Sequence, residues 1–388
     1  MLLTKRIYFG QRNISLIAIL WGALAAIGVL LKIRLGPGSI NNYLIFENVF
    51  WHTLHQTNLY ATYPAEYFDT NHYGPLFSFI IAPFAVLPTN IGCFLWGIAN
   101  MIFLFYAVRK LPISFKSQNI ILLITSVEMM TSIQNVQFNP VVAAGIILSF
   151  LFVKNGKDIW ATLFIAAGFF IKIYGIAGLV FFFFSQNKMR FIVSMIFWTV
   201  VLFYLPMLIS SPSFIFHSYE QWYRSLVQKN ETNSISLMQN ISVMGLMRHV
   251  FKIERFSMLI IIPAAFLYIL PFARTAQRQW LDFKLSYLAF VLIGVVIFSS
   301  SAESSTYIIA MTGVGLWYIL QKEFHWQNLM LMIFAIIITS LANTDLMPDY
   351  LKLQIIRPYS LKVLPCLVTW CVLAYQLLKK DFKPGVVR

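Results

Sequence analysis

Charged residues are scarce in this chain of 388 amino acids: Asp, Glu, Lys and Arg together make up only 11% of it. Soluble domains have about 25% charged and about 45–50% apolar residues. This chain is 59% hydrophobic, with a mean hydropathy of +0.74, which excludes an ordinary soluble domain. The apolar residues form long runs, unlike the weak alternation of a membrane β-barrel. The sequence predicts an all-α polytopic membrane protein, because lipid requires backbone polar groups to be satisfied internally.

Cysteine is also rare, with Cys93, Cys366 and Cys371 each lying in an apolar run. No Cys-x-x-Cys or Cys/His spacing occurs, so neither a disulfide framework nor a zinc site is predicted. Acids of the first loop, described below, could ligate a metal, but no ligand spacing demands one. We therefore expect neither a metal nor another cofactor.

Acids are outnumbered by bases, 14 to 29, which gives a net charge of +15. The bases are dispersed at the ends of apolar runs, so we expect them to contact anionic membrane lipid, not nucleic acid. By the positive-inside rule they predict cytoplasmic N- and C-termini. The groups that carry this orientation are Lys5, Arg6 and Arg12; Arg109, Lys110 and Lys116; Lys154 and Lys157; Lys188 and Arg190; and Lys379, Lys380, Lys383 and Arg388.

The apolar runs predict about 10–13 transmembrane helices that form a single domain over residues 1–388. Several runs are shorter than the ~20 residues that cross a bilayer, which is typical of broken helices that line a cavity. The run from Ile14 to Leu35 has no convincing cleavage site and is expected to be a retained first helix. The predicted spans are 14–35, 74–88, 90–108, 119–133, 138–153, 158–171, 173–185, 190–209, 256–272, 284–299, 303–320, 326–342 and 361–379.

The first external loop, residues 36–73, contains no Lys or Arg. Its sequence from Asn41 predicts an amphipathic interfacial helix, with Glu47 in the apolar stripe. Two interpretations of its polar side chains stay open: an interfacial belt, or a site where a carboxylate acts as base and an imidazole binds phosphate or a sugar hydroxyl. The residues concerned are Glu47, Glu66, Asp69, His52, His55 and His72.

Glu66 and Asp69 are three residues apart, which favours a pair of carboxylates facing one cavity, although Asp69 could instead fix a turn. Gly74-Pro75 should begin the next helix and clamp the loop at the membrane face. A second polar region, residues 210–255, includes Arg224 and is expected to lie mostly outside, over the first loop.

Polar residues also interrupt the apolar runs further along the chain. The amides of Gln137 and Asn139 could either bind sugar hydroxyls or cap helix ends. Lys172 lies in the middle of an apolar stretch, where a charge is costly and indicates function. If residues 159–185 form one long helix, Lys172 is buried at mid-bilayer. If they form two short helices, Lys172 lies at the external turn and suits a lipid-linked phosphate.

These motifs, in this order and spacing, resemble the integral-membrane glycosyltransferases of family 87, within the GT-C superfamily. The resemblance covers most of the chain and is strongest in the first 190 residues. The motifs that carry it are Asn58-Leu59-Tyr60, Tyr73-Gly74-Pro75-Leu76-Phe77, Ala82-Pro83-Phe84-Ala85-Val86-Leu87-Pro88, Gln137-Phe138-Asn139-Pro140 and Gly168 to Lys172.

The resemblance implies transfer of a sugar, often mannose, from a polyprenyl-phosphate donor to a glycan or glycolipid acceptor at the outer face of a bacterial cytoplasmic membrane. Relatives place a catalytic Asp ahead of the Leu-Tyr pair, and by spacing that position here is Asn42. Because asparagine cannot act as a general base, we expect Glu66 or Asp69, and next Glu47, to supply it.

The resemblance also implies which groups hold the donor. Lys172, matching a family lysine, and Arg224 would stabilise the departing phosphate of a metal-independent inverting transfer. The sugar-binding candidates are His52, His55, His72, Tyr73, Gln137 and Asn139. A transporter or flippase for a lipid-linked sugar, or a non-catalytic relative, remains the alternative.

Overall fold

The structure is a computed structural model that describes residues 6–9, 12–236, 239–252, 257–321 and 323–382. Within these residues the chain forms fifteen α-helices. They are α1 (Leu16–Arg34), α2 (Asn41–Leu54), α3 (Phe77–Ala85), α4 (Thr89–Arg109), α5 (Phe115–Gln134), α6 (Asn139–Lys154), α7 (Asp158–Lys172), α8 (Lys188–Tyr204), α9 (Pro212–Ile235), α10 (Val243–Phe251), α11 (Ser257–Ile269), α12 (Leu281–Ile297), α13 (Tyr307–Ile319), α14 (Trp326–Phe334) and α15 (Leu364–Lys379).

Other elements are short, with one exception. Two strands, β1 (Arg6–Phe9) and β2 (Arg12–Ser15), pair as an antiparallel hairpin before α1, which the sequence reading did not predict. Short 3-10 helices occupy Pro37–Ile40, Leu205–Leu208, Leu270–Ala273, Ser304–Thr306 and Leu361–Val363, while Ile173–Phe184 is a long one. Ala335–Ser340 and Leu351–Ile356 are π-helical.

The predicted all-α polytopic membrane protein is confirmed. By length and composition, five helical segments of the described chain could cross a membrane, and three shorter ones are also apolar. The five are Leu16–Arg34, Thr89–Arg109, Asp158–Phe184, Lys188–Leu208 and Leu361–Lys379. The orientation of the termini stays a prediction, and three of its bases, Lys5, Lys383 and Arg388, lie outside the described residues.

One predicted span has a different helical type. The predicted span at 173–185 is a 3-10 helix, not an α-helix. The polar region 210–255 contains the helices α9 and α10, because its apolar residues recur at helical spacing among the polar ones. Its location outside the membrane stays a prediction.

The chain divides into two compact units, and the prediction of a single domain over 1–388 is not tested by this division. One unit comprises residues 21–107 and 130–229, and the candidate site described below lies entirely within it. The other comprises residues 108–129 together with the described residues up to Leu20 and from Asn230 onward.

An aromatic cluster forms the core of the first unit beside the external loop. Phe46 of α2 packs edge-on against Tyr73 at 4.9 Å between ring centroids and against Phe77 of α3 at 5.0 Å. Trp96 of α4 stacks on Phe138 at 5.6 Å. Aromatic pairs contribute about 0.5–1.5 kcal/mol each beyond the area that they bury. The cluster therefore fixes Tyr73 where the external loop ends.

The segment 158–184 doubles back on itself at Lys172. The Cα atom of Gly175 lies 2.7 Å from where a Cβ on Gly168 would be, and Gly178 opposes Ile165 in the same way. These paired positions show that α7 and the 3-10 helix form a tight antiparallel hairpin. Lys172 itself has φ −151° and ψ 77°, outside the helical region, so the turn begins there. Of the two arrangements that the sequence left open, two short helices with Lys172 at their turn is the one observed.

The glycine contact at the tip of the hairpin should be sensitive to one added methyl group. A Cβ on residue 175 would lie 2.4 Å from the Cα of Gly168, and backbone cannot move aside cheaply. We expect Gly175→Ala to lower the free energy of unfolding by about 1–3 kcal/mol, the usual cost of overpacking, measured as a lower melting temperature in detergent. Gly22→Ala in α1 is the control, because nothing lies within 4 Å of its Cβ position. Equal melting of Gly175→Ala and wild type would contradict the hairpin contact.

The second unit contains a buried ion pair between α5 and the 3-10 helix Leu361–Val363. Lys362 Nζ donates to Glu128 Oε1 at 2.9 Å, and the side chains are 3% and 0% exposed. Lys362 also donates to Ser304 Oγ at 2.7 Å and lies 5.0 Å from the ring centroid of Tyr307. Neither charged residue was singled out from the sequence. The signal that identified Lys172, a charge in an apolar stretch, was also present at Glu128.

Breaking this pair should cost much more than breaking an exposed one. Lys362→Met leaves Glu128 buried without its cation, and removing one partner of a buried pair typically costs about 3–5 kcal/mol. The double variant Glu128→Met/Lys362→Met should recover most of the lost melting temperature, since no charge is left unpaired. Asp349→Asn, which breaks a pair with Lys352 whose acid is 80% exposed, should change it little. A double variant that melts no higher than Lys362→Met would contradict this account.

Candidate active site

Lys172 is the centre of the candidate site. Its Nζ donates to Asn139 Oδ1 at 2.8 Å and lies 3.5 Å from Gln137 Oε1 and 3.4 Å from the hydroxyl of Tyr73. The ammonium also lies 5.3 Å from the ring centroid of Tyr73. Tyr73, Gln137, Asn139 and Lys172 were each predicted as donor-binding residues, and the structure brings these four together. We call them the lysine cluster.

The amides of the lysine cluster come from the break between α5 and α6. Val136 there has a φ of 52°, which is uncommon for a β-branched residue and turns the chain sharply. Neither amide caps α6, which has no side-chain cap. Asn139 is 0% exposed, and its Nδ2 has no hydrogen-bond partner among the described residues. A buried amide donor left without a partner is costly, which indicates that a ligand atom completes the site.

The external loop is attached directly to the tip of the hairpin. The backbone N–H of Gly74 donates to the carbonyl of Ile171 at 3.1 Å. A side chain on residue 74 would collide with the carbonyl oxygen of Phe170, so glycine is required by this close approach. The hydroxyl of Tyr60 donates to the carbonyl of Tyr73 at 3.0 Å. The loop and the hairpin therefore hold Tyr73 and Lys172 in one fixed geometry.

A second group of side chains lies beside the lysine cluster, around His72. Its Nδ1 is 3.0 Å from Ser225 Oγ on α9, and its Nε2 is 3.4 Å from Thr70 Oγ1. Asp69 Oδ2 lies 4.0 Å from Lys229 Nζ, also on α9. Asp69 adopts φ 72°, a left-handed conformation that Asp tolerates and that clusters at functional sites. We call Asp69, His72, Ser225 and Lys229 the histidine cluster.

Burial keeps the imidazole of His72 neutral at physiological pH. Burial, together with the positive charges of Lys229 and Lys172, lowers the pKa of His72 to about 4, while the Asp69 carboxylate opposes them. Because His72 and Tyr73 are adjacent in the chain, the histidine and lysine clusters are neighbours. Of the three loop acids, Asp69 is the one that acts on His72.

The other loop acid, Glu66, is committed elsewhere. Glu66 Oε2 is 2.9 Å from Nε2 of His52, which is buried on α2. Burial lowers the pKa of His52, and the neighbouring Glu66 carboxylate raises it in part. The predicted pair of carboxylates facing one cavity is therefore not observed, since Glu66 contacts His52 and Asp69 contacts Lys229. His55 is exposed and stacks on Trp51, with 6.2 Å between ring centroids.

Glu47 and Asn42 point toward other helices. Glu47 accepts from the hydroxyl of Thr89, at the start of α4, at 3.1 and 3.2 Å to its two oxygens. Burial raises its pKa, and that hydrogen bond opposes the effect. Asn42 Nδ2 donates to the carbonyl of Asn135 at 2.8 Å, so it ties α2 to the α5–α6 break. Both contacts position the loop.

The basic residue of α9 that faces the external loop is Lys229, not Arg224, which the sequence favoured. Arg224 is 75% exposed and pairs with Glu220 at 2.6 Å, on the helix face opposite to Ser225 and Lys229. Lys229, which sequence reasoning missed, has a side chain only 15% exposed. The available signal was the spacing of Trp222, Ser225 and Lys229, at i, i+3 and i+7 on one helix face.

The absence of a metal or another cofactor stays a prediction from the sequence. Among the described residues, no group of three His, Cys, Asp or Glu side chains is arranged to hold a metal ion.

The low pKa of His72 makes the free energy of unfolding decrease as the pH falls. The pKa of His72 is about 4 in the folded state and near 6.5 in the unfolded state. As the pH falls, the unfolded state therefore takes up the proton before the folded state does. Stability is therefore complete above about pH 6.5 and falls as the pH approaches 4, by about 2 kcal/mol at pH 5. We expect His72→Gln to flatten the decline in melting temperature between pH 7 and 5. His217→Gln, at a histidine whose side chain is 64% exposed, should leave the decline as in wild type. Equal pH profiles for His72→Gln and wild type would contradict this assignment.

Comparison with known proteins identifies the family of the chain. A search of curated proteins finds no match. The model of glycosyltransferase family 87 matches residues 71–300, which is more than half of the chain. The match includes the whole lysine cluster and Lys229, but it begins after Glu47, Glu66 and Asp69. The chain therefore belongs to glycosyltransferase family 87 and is a membrane glycosyltransferase.

Proposed function

We propose that the protein transfers a sugar from a polyprenyl-phosphate donor to a glycan or glycolipid acceptor at the outer face of a bacterial cytoplasmic membrane. The observation that carries the proposal is Lys172, a cation at the tip of an apolar hairpin. It lies beside the buried amide of Asn139, whose N–H group has no partner among the residues that the structure describes. A lipid-linked phosphate fits these groups, because its tail can stay among the apolar helices while its head reaches the ammonium.

The lysine cluster supplies both parts of a donor site. The ammonium of Lys172 stabilises the negative charge that grows on the phosphate as the glycosidic bond breaks. The Nδ2 of Asn139 and the hydroxyl of Tyr73 offer hydrogen bonds to sugar or phosphate oxygens. The transferred sugar is a hexose of the mannose type.

Asp69 is the acid that we propose as the general base. It takes the proton of the acceptor hydroxyl as that oxygen attacks the anomeric carbon, and the lipid phosphate leaves from the opposite face. The reaction inverts the anomeric centre and needs no metal. Asp69 is preferred over Glu66 and Glu47 because its charge acts on His72 together with Lys172, whereas Glu66 binds His52 and Glu47 binds Thr89. Asn42 has no proton-accepting role here.

A direct test follows donor consumption in nanodiscs. The purified protein is incubated with polyprenyl-phosphate mannose, and then with other polyprenyl-phosphate hexoses and an acceptor extract, and mass spectrometry follows loss of donor. Asp69→Asn should lower the rate by about 10²–10⁴-fold, because it removes the base. Asn keeps the left-handed backbone at this position, so the loop is preserved. Lys172→Gln should lower the rate by about 10²–10³-fold.

The matched controls are Glu66→Gln in the same loop and Lys157→Gln at the other, exposed end of α7. Both should retain most of the activity. If Glu66→Gln inactivates and Asp69→Asn does not, Glu66 is the base instead. If wild type moves the donor across the bilayer without consuming it, the protein is a flippase. If it binds the donor and does neither, it is a non-catalytic relative, as Asn42 at the family's Asp position would allow.

A further inference from the structure

Lys229 is a largely buried cation whose ion pair is loose. Its side chain is 15% exposed, and the distance from its Nζ to Asp69 Oδ2 is 4.0 Å, beyond hydrogen-bond range. The Asp69 side chain is 55% exposed, and its other oxygen accepts the backbone N–H of Thr70 at 2.8 Å. A partly desolvated ammonium is costly unless a well-placed anion satisfies it. Asp69 meets this need only in part.

The position of Lys229 is fixed by its neighbours on α9. Trp222 Nε1 donates to the carbonyl of His72 at 3.0 Å, and Ser225 Oγ lies 3.0 Å from His72 Nδ1. These contacts lock the helix face that carries Lys229 against the end of the external loop. The lysine is therefore held beside the loop by two hydrogen-bonded residues, while its own ammonium keeps freedom to change partner.

Lys172 and Lys229 lie on either side of the end of the external loop. Lys172 contacts the hydroxyl of Tyr73, and Lys229 is on the helix whose Ser225 contacts the ring of His72, the preceding residue. In agreement with these contacts, both positive charges lower the pKa of His72. Two ammonium groups close to one neutral side chain repel each other, and an anion placed near both would relieve the repulsion. The phosphate of a lipid-linked donor is such an anion, and Lys172 already lies in the site proposed for it.

We propose that Lys229 is a second phosphate-binding residue, which exchanges its loose contact with Asp69 for the donor phosphate. This inference rests on the proposed function and deepens it. It adds a consequence for the order of events: when the phosphate takes Lys229, the Asp69 carboxylate is released to accept the proton of the acceptor hydroxyl. Donor binding then precedes activation of the base.

The experiment measures binding of a polyprenyl phosphate that carries no sugar, so that catalysis is not needed. The intact protein in nanodiscs is titrated with this lipid and with the corresponding polyprenol, and native mass spectrometry gives the bound fraction. The fluorescence of Trp222 and the other tryptophans checks that each variant stays folded. A charge-assisted hydrogen bond lost from the site should weaken binding about tenfold to 100-fold.

We expect Lys229→Gln to weaken polyprenyl phosphate by about that factor and to leave the polyprenol unchanged. Lys229→Arg should restore most of the affinity, because the positive charge returns. Lys157→Gln is the control for the general loss of one positive charge. Asp69→Asn should bind the phosphate more tightly than wild type, since it removes the competitor for Lys229; a purely structural ion pair predicts no gain.

The outcomes separate this inference from the proposed function. If Lys172→Gln weakens the phosphate lipid and Lys229→Gln does not, the donor site stands and the role of Lys229 is refuted. If Lys229→Gln weakens phosphate lipid and polyprenol equally, Lys229 is structural and the inference also fails. If wild type binds the phosphate lipid no better than the polyprenol, the proposed function fails together with it.

Discussion

The ammonium group of Lys172 lies at the tip of an apolar hairpin, and the rest of the site is arranged around its need for polar partners. A charge in such surroundings is costly unless oxygen atoms meet it. Asn139 and Gln137 from the α5–α6 break and Tyr73 from the end of the external loop supply those atoms. Three segments distant in sequence must therefore meet at one point. The close approach of Gly74 to the hairpin backbone makes that meeting possible.

Most residues around the site are fixed by hydrogen bonds, and a few polar groups are incompletely satisfied. The backbone of Tyr73 is held by Asn71 and Tyr60, and His72 is held by Trp222 and Ser225. By contrast, Asn139 Nδ2 has no hydrogen-bond partner within the described part of the chain, and the Lys229 ammonium lies 4.0 Å from the Asp69 carboxylate. A rigid frame with a few incompletely satisfied polar groups is what a preorganised binding site requires, because the ligand completes the contacts without first reordering the protein.

The acids of the external loop illustrate how burial assigns different roles to similar side chains. Glu47 accepts a hydrogen bond from Thr89 of α4, and Glu66 contacts the buried imidazole of His52. Asp69 stays half exposed, in a left-handed turn, next to a cation. Of the three acids, Asp69 is the one beside a lysine, and its side chain is 55% exposed, which leaves it open to a substrate. Asn42 has a structural contact instead, since its side-chain amide donates to the carbonyl of Asn135 and ties α2 to the α5–α6 break.

Composition and the order of apolar runs determined the fold class, because an 11% charged, 59% hydrophobic chain has no other stable form than membrane helices. The sequence also identified Lys172, a charge in an apolar run, and Asn139, an amide at a helix break, as candidate site residues. A polar group in an apolar run is costly and therefore indicates a function. The tertiary structure alone decided which of two hairpin geometries forms, which loop acid lies near the cations, and that Lys229 faces the loop while Arg224 does not. Those outcomes depend on helix rotation and on contacts across 150 or more residues, such as Trp222 to His72. Sequence spacing can place such residues on a common helix face, but it cannot determine what that face meets.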